Sequence, residues 1–141
     1  MGKLTPPQVE EYFDKHLPYR TGILLAHYRM TRGPWTGDPG MLNACFVSAL
    51  VTGRLFLNVL GVGKKKGKGG YVLDRYSPRP TDVTVDDLGG VLIDPATLPK
   101  AERDLFLHFL IMADQAAAHF TVPIRTSVRI LVKNTHRVEW H

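Results

Sequence analysis

A chain of 141 residues with 44% hydrophobic and 22% charged side chains has the length of one domain and enough apolar material for a core. A disordered or low-complexity chain is thereby set aside. The net charge of +5 permits an anionic partner without demanding one, and the single cysteine, Cys45, excludes a disulfide framework and fits a reducing compartment.

The opening stretch MGKLTPPQVEEYF lacks the apolar run of a secretory signal, so a soluble, cytoplasmic protein is expected. Thr5-Pro6-Pro7-Gln8 reads as a capping box, with threonine at the N-cap and prolines in the first turn. Val9, Tyr12, Phe13 and His16 then recur at helical spacing. Pro18 either kinks one long helix or starts another, running from about Tyr19 to Met30 with Ile23, Leu24, His27 and Met30 on one side. RGPWTG, residues 32–37, is a turn. Its Trp35 either folds back over the core, the preferred reading, or marks a contact surface.

DPGMLNACFVSALVTGRLFLNVLGVG, Asp38 to Gly63, is the central helix. Asp38 and Pro39 suit its start, Gly61 and Gly63 its left-handed C-terminal cap. It is apolar on nearly every side, as a helix wrapped by its neighbours would be. Its length raises the question of a membrane span, and Arg54 in mid-span argues against one. At 100° per residue, Asn43, Arg54 and Asn58 fall within about 60° of each other and form one thin polar stripe.

GVGKKKGKGG and YVLDRYSPRPTDVTVDDLGGVLIDPATLP follow, a long connection without helical period, expected to contain short helical turns or a small hairpin. Asp94-Pro95 and Leu98-Pro99 offer further helix starts. The third main helix runs from roughly Pro99 to Phe120, with Leu105, Phe109, Met112, Ala113, Ala116, Ala117 and Phe120 as core candidates. In TVPIRTSVRILVKNTHRVEWH, Ile124, Val128, Leu131, Val132, Thr135 and Val138 form a helical ladder, although a strand through Val128, Ile130 and Val132 fits too. With no repeat and no boundary, residues 1–141 read as a single all-α domain. The expected architecture is a compact four-helix-type bundle with a long irregular connection between its second and third main helices.

Chemistry-bearing motifs are few. The lysine stretch, Lys64, Lys65, Lys66 and Lys68, resembles a phosphate loop only superficially: its glycine spacing differs, and Gly69 stands where a magnesium-binding hydroxyl belongs. It reads as a solvated flexible loop, or as a sequence-blind contact to RNA phosphates. Asp104, His108, Gln115 and His119 share a stripe of the third helix. His108 and His119 lie roughly 16 Å apart along its axis, too far to ligate one metal, and Asp104 with His108 lacks a third ligand. No metal or cofactor is expected. Cys45 reads as a packing residue.

R-x(4–6)-H, the signature of HEPN-type ribonucleases, occurs as Arg20/His27, Arg103/His108 and Arg129/His136. Ten arginines and six histidines yield about one such match by chance. Arg20 and His27 do lie on one helical face.

GRLFLNVLG (Gly53 to Gly61), TDVTVDDL (Thr81 to Leu88) and AAAHFT (Ala116 to Thr121), in this order, resemble a group of small bacterial helical proteins. Those carry an arginine-containing apolar helix, a DDV-type loop and a helix ending in AHLT, and are similar to HEPN-like bundles, abortive-infection proteins among them. The likeness covers about half of the chain. It implies an all-helical bundle, often dimeric, with a tie to RNA or phage defence. That family carries its Arg/His pair close together on a late helix, whereas Arg54 and His119 lie on different helices here.

Two functions follow. One is a protein-interaction or scaffold module, a homodimer away from any membrane. The other is a HEPN-like ribonuclease or RNA-binding protein, with Arg54, His119, Arg20 and His27 as its catalytic candidates. Small-molecule binding inside the bundle has no specific support in the sequence. Arg54 is expected to be at least partly buried and to tie the long connection onto the bundle through Asp82, Asp86 or Asp87. Its replacement by alanine would then cost roughly 3–5 kcal/mol. A cleft joining Arg54 or Arg20 to a histidine would favour the ribonuclease.

Overall fold

The structure, a computed structural model, describes residues 3–118. His119, Phe120 and the helix-or-strand segment 122–141 lie outside the described residues. The first rod consists of α1 (Pro6–Glu11), a π-helical turn (Tyr12–His16) and α2 (Leu17–Met30). Gln8 Oε1 accepts from the Thr5 N–H at 2.8 Å, closing the start of α1. At Leu17 the N–H donates to the Tyr12 carbonyl, five residues back. The widened turn settles the alternative at Pro18: a proline lacks an N–H and crowds the carbonyl four residues behind it, and one π turn relieves both without breaking the rod.

Helix α3 (Pro39–Val59) begins where Asp38 Oδ1 accepts from the Gly40 N–H at 2.8 Å. The half-buried Trp35 donates from its indole to the Asp38 carbonyl at 3.2 Å, so it closes over the start of its own helix. Gly61, at φ +90°, ends α3 and sends its N–H to the Asn58 carbonyl. Gly63 is not part of the cap; it lies in the next strand. The end of α3 is also a junction, because the Leu60 carbonyl accepts from Ile93 N–H and the Gly61 carbonyl from Tyr76 N–H, both at 2.8 Å.

The fold is not the expected all-α four-helix bundle. The lysine stretch is no loop: β1 (Val62–Gly67) and β2 (Gly70–Arg75) form an antiparallel hairpin, in register from Val62 opposite Arg75 to Gly67 opposite Gly70. Three long helical segments and this two-stranded sheet make up the described fold. Two physical reasons favour strands. Tyr71 and Val72 are β formers, and the two-residue turn Lys68-Gly69 is closed by Gly70 at φ +121°. Val62, completely buried, anchors the hairpin, and Leu73 packs beside it against Leu57 and Leu110.

Beyond the hairpin, 3-10 turns at Val85–Leu88 and Pro95–Thr97 lead into α4 (Lys100–Ala118). Phe109, Met112, Ala113 and Ala116 face the core as expected, around Leu50. Leu105 does not; it is 49% exposed, and Leu110 and Phe106 do the packing instead. The three helices meet at Gly53. A Cβ there would come within 2.4 Å of the Phe109 ring and 3.3 Å of Leu24 Cδ1, so the crossing requires a glycine.

Helix α3 is flanked by α2 and α4 but is not wrapped on every side: Met41 is 58% exposed and Leu55 37%. Among the described residues it is the one helix long and apolar enough to cross a membrane, by length and composition alone.

Candidate functional site

The polar stripe of α3 opens onto a cleft of about 400 Å³ between α3, α4, the hairpin and the segment that follows it. Arg54 and Asn58 form its floor. Lys64 enters from β1, Asp114 from α4, and Tyr76, Arg79 and Asp82 from the connection. Helical spacing places Arg54 and Asn58 one turn apart, and the hairpin's alternation points Lys64 at α4 while Lys65 turns away to Asp74 at 2.8 Å.

One carboxylate organises this cluster. Asp114 receives Arg54 at 2.9 Å and Lys64 at 2.6 Å. Burial works against its charge and is the largest single effect, but the hydrogen bonds and charges of Lys64 and Arg54 together outweigh it and hold the carboxyl below its ordinary pKa. The Lys64 ammonium also lies 4.0 Å from the centroid of the Tyr71 ring.

A second centre shares the cleft. The Tyr76 hydroxyl donates to Asp82 at 2.7 Å, and the Arg79 N–H reaches the same carboxylate oxygen at 2.8 Å. These two bonds lower the pKa of Asp82. The bond to Asp82, with burial, raises that of the Tyr76 phenol against the opposing charges of Arg79 and Arg54. Both carboxylates are therefore ionised at neutral pH, and neither is an acid there.

Behind the shared wall of Leu55, Asn58, Tyr76 and Asp82 lies a second cleft of about 250 Å³, which Arg20 also lines. Among the described residues, the side chains of Arg20 and Arg79 meet no carboxylate within ion-pair distance, and the Asn58 amide makes no hydrogen bond.

Arg54 is 31% exposed and pairs with Asp114 rather than with Asp82, Asp86 or Asp87. Of those three, Asp82 shares its cleft, bonded to Tyr76. Asp86 accepts from the Thr84 hydroxyl. Asp87 caps the turn Val85–Leu88, taking the Thr84 N–H at 2.9 Å and the Lys3 N–H at 3.2 Å. The connection is thus held by its own caps, by the Lys3 N–H and by its backbone bonds to the end of α3, and Arg54 binds the next helix instead. Arg20 lines the second cleft, but His27 does not join it; its ring lies against Phe46 at 5.0 Å, where burial lowers its pKa. No described histidine lines either cleft, and no described group of three His, Cys, Asp or Glu side chains could hold a metal. Of the lysines, Lys64 belongs to the cleft, and Lys66 and Lys68 remain exposed on the hairpin.

Sequence reasoning missed Asp114, Tyr76 and Arg79. One signal did point to Asp114: a lone acid within an apolar stretch of α4, matching the lone arginine within α3. Comparisons with protein-family models, curated proteins and solved structures find no match to this chain, so nothing in them bears on the HEPN-like resemblance.

Proposed function

We propose that this chain is a cytoplasmic binding module whose cleft takes up a small anion, a phosphate or carboxylate group. The observation that supports this is an excess of cations. Arg54 and Lys64 share the carboxylate Asp114. Asp82, the other acid of the cleft, is bonded to Tyr76 and feels the charge of Arg79. The three cations of the first cleft thus outnumber its two carboxylates, while Arg20 lines the second. Guanidinium forks and the Asn58 amide are the donors that recognise oxyanions. Carboxylates held ionised, with no described histidine alongside, favour binding over acid–base chemistry. Calorimetric titration with inorganic phosphate and pyrophosphate tests the reading. Saturable binding that weakens with salt and weakens in Arg79→Ala is expected; no heat at millimolar ligand would refute it.

The hairpin supports a second reading, an RNA contact. Tyr71 is 47% exposed beside Lys64, and a half-exposed ring flanked by lysines suits stacking and phosphate attraction. Fluorescence anisotropy with a labelled single strand should show steeply salt-dependent binding that Tyr71→Ala weakens. A Tyr71→Ala protein that binds like the parent removes this reading. Homodimerisation through the exposed Val72, Val91 and Leu92 is the corresponding interaction-module proposal, to be checked by sedimentation.

A further inference from the structure

The two clefts differ in chemistry although they share a wall. The first gathers the three cations Arg54, Lys64 and Arg79 with the two carboxylates Asp82 and Asp114. The second is walled mainly by apolar side chains, Leu17, Phe56 and Val83 among them, with Arg20 and Asp82 also lining it. Leu55, 37% exposed, lines both, and an apolar side chain left open to water beside two polar groups is where an apolar ligand body would gain most by covering it. The first cleft, at about 400 Å³, falls within the roughly 300–1,000 Å³ typical of small-molecule sites, and the second adjoins it across Leu55 with a mainly apolar lining.

We infer that the ligand is an amphiphilic anion. Its phosphate or carboxylate head would sit among Arg54, Lys64 and Arg79, and its short alkyl or aryl body would pass Leu55 into the compartment of Leu17, Phe56 and Val83. This rests on the anion-binding reading of the first cleft and adds the class of molecule. A purely polar anion would leave the second compartment unused, and an uncharged apolar ligand would leave the cations unused.

The test is a homologous series on the full chain: inorganic phosphate, then ethyl, butyl and hexyl phosphate, with hexanol as the uncharged control. Affinity should rise by about fourfold per buried methylene, the equivalent of about 0.8 kcal/mol, until the compartment is filled. Hexanol should not bind measurably. Arg79→Ala should weaken the whole series together, while Leu55→Ser should flatten its slope and spare inorganic phosphate; both positions are exposed, so both variants should fold. Phosphate binding that is indifferent to chain length would overturn this inference and leave the anion site standing. Failure of every phosphate would end both. A chain-length slope unchanged in Leu55→Ser, or a series left as tight as the parent's in Arg79→Ala, would place binding elsewhere and overturn the assignment. Vesicles of phosphatidylcholine and phosphatidic acid identify the source of the ligand. Capture that Arg79→Ala abolishes assigns the head and chain to a bilayer lipid, and binding of hexyl phosphate without capture assigns them to a free molecule.

Discussion

Gly53 and Arg54 are neighbours on α3 and occupy opposite environments. Gly53 is buried at a three-helix crossing where no Cβ fits beside Phe109 and Leu24. Arg54, turned 100° away, reaches a water-accessible cleft and holds an acid that a lysine also holds. One face is thus defined by shape, the other by charge. The acids divide in the same way: Asp87 is sealed by backbone N–H groups, whereas Asp114, 40% exposed, is held by movable side chains. Shape-defined contacts have one solution and fail sharply when changed. Charge-defined ones share their partners and fail gradually.

Mutations should separate the two sides by size of effect. Gly53→Val, which drives a branched side chain into Phe109, should cost about 2–3 kcal/mol by overpacking in chemical denaturation. A loss below half of that would show that the crossing can yield. Asp87→Ala should come next, at about 2 kcal/mol, since the Thr84 and Lys3 N–H groups lose their acceptor.

Asp87 also carries a pH signature. The Thr84 N–H is the largest cause of its lowered pKa, burial opposes it, and the Lys3 N–H and the Thr84 hydroxyl assist. A carboxyl with its folded pKa below the unfolded value stabilises the fold above the unfolded value, and that stability is lost as pH falls through the folded one. The parent should therefore lose stability in acid more steeply than Asp87→Ala; parallel pH–stability curves would contradict the sealed-cap description.

On the open side, Arg54→Ala should cost no more than about 1 kcal/mol. Both partners are partly solvated and Lys64 keeps Asp114 paired. This replaces the roughly 3–5 kcal/mol expected of a buried pair that loses one member, and a loss in that larger range would return Arg54 to the sealed side. The smallest effect belongs to Lys66→Ala with Lys68→Ala, within about 0.5 kcal/mol of the parent. Lys64→Ala should exceed it, having both Asp114 and the Tyr71 ring to lose. Equal melting temperatures for Lys64→Ala and the double variant would show that the Lys64 contacts add nothing.

Much of the molecule was legible residue by residue. Thr5 with Gln8, Asp38 before Pro39, and Gly61 all mark helix ends by local hydrogen bonding, and each does so in the structure. The stripe of Asn43, Arg54 and Asn58 placed two of its three members in the cleft. Short helical turns or a small hairpin were expected in the connection, and both occur, but that the lysine stretch itself forms the hairpin was harder to read. Four lysines and five glycines between Gly61 and Gly70 have the composition of a solvated loop, and the buried Val62 that ties them down shows no such role in sequence. Leu105 failed for the opposite reason: helical period alone cannot say how far along α4 the neighbouring helices reach.

Local spacing, then, determined where helices begin and end, which side of α3 is polar, and that Arg54 needs a partner, because caps and helical faces involve residues at most a few positions apart. Which acid answers Arg54 was decided only by tertiary structure. Asp114 lies 60 positions away, and Asp82, nearer in sequence, is taken by Tyr76 and the Arg79 N–H. The pairing depends on how α3 and α4 dock at Gly53 and on the hairpin that carries Lys64 to the same carboxylate. The cleft exists because those two packing events leave it open.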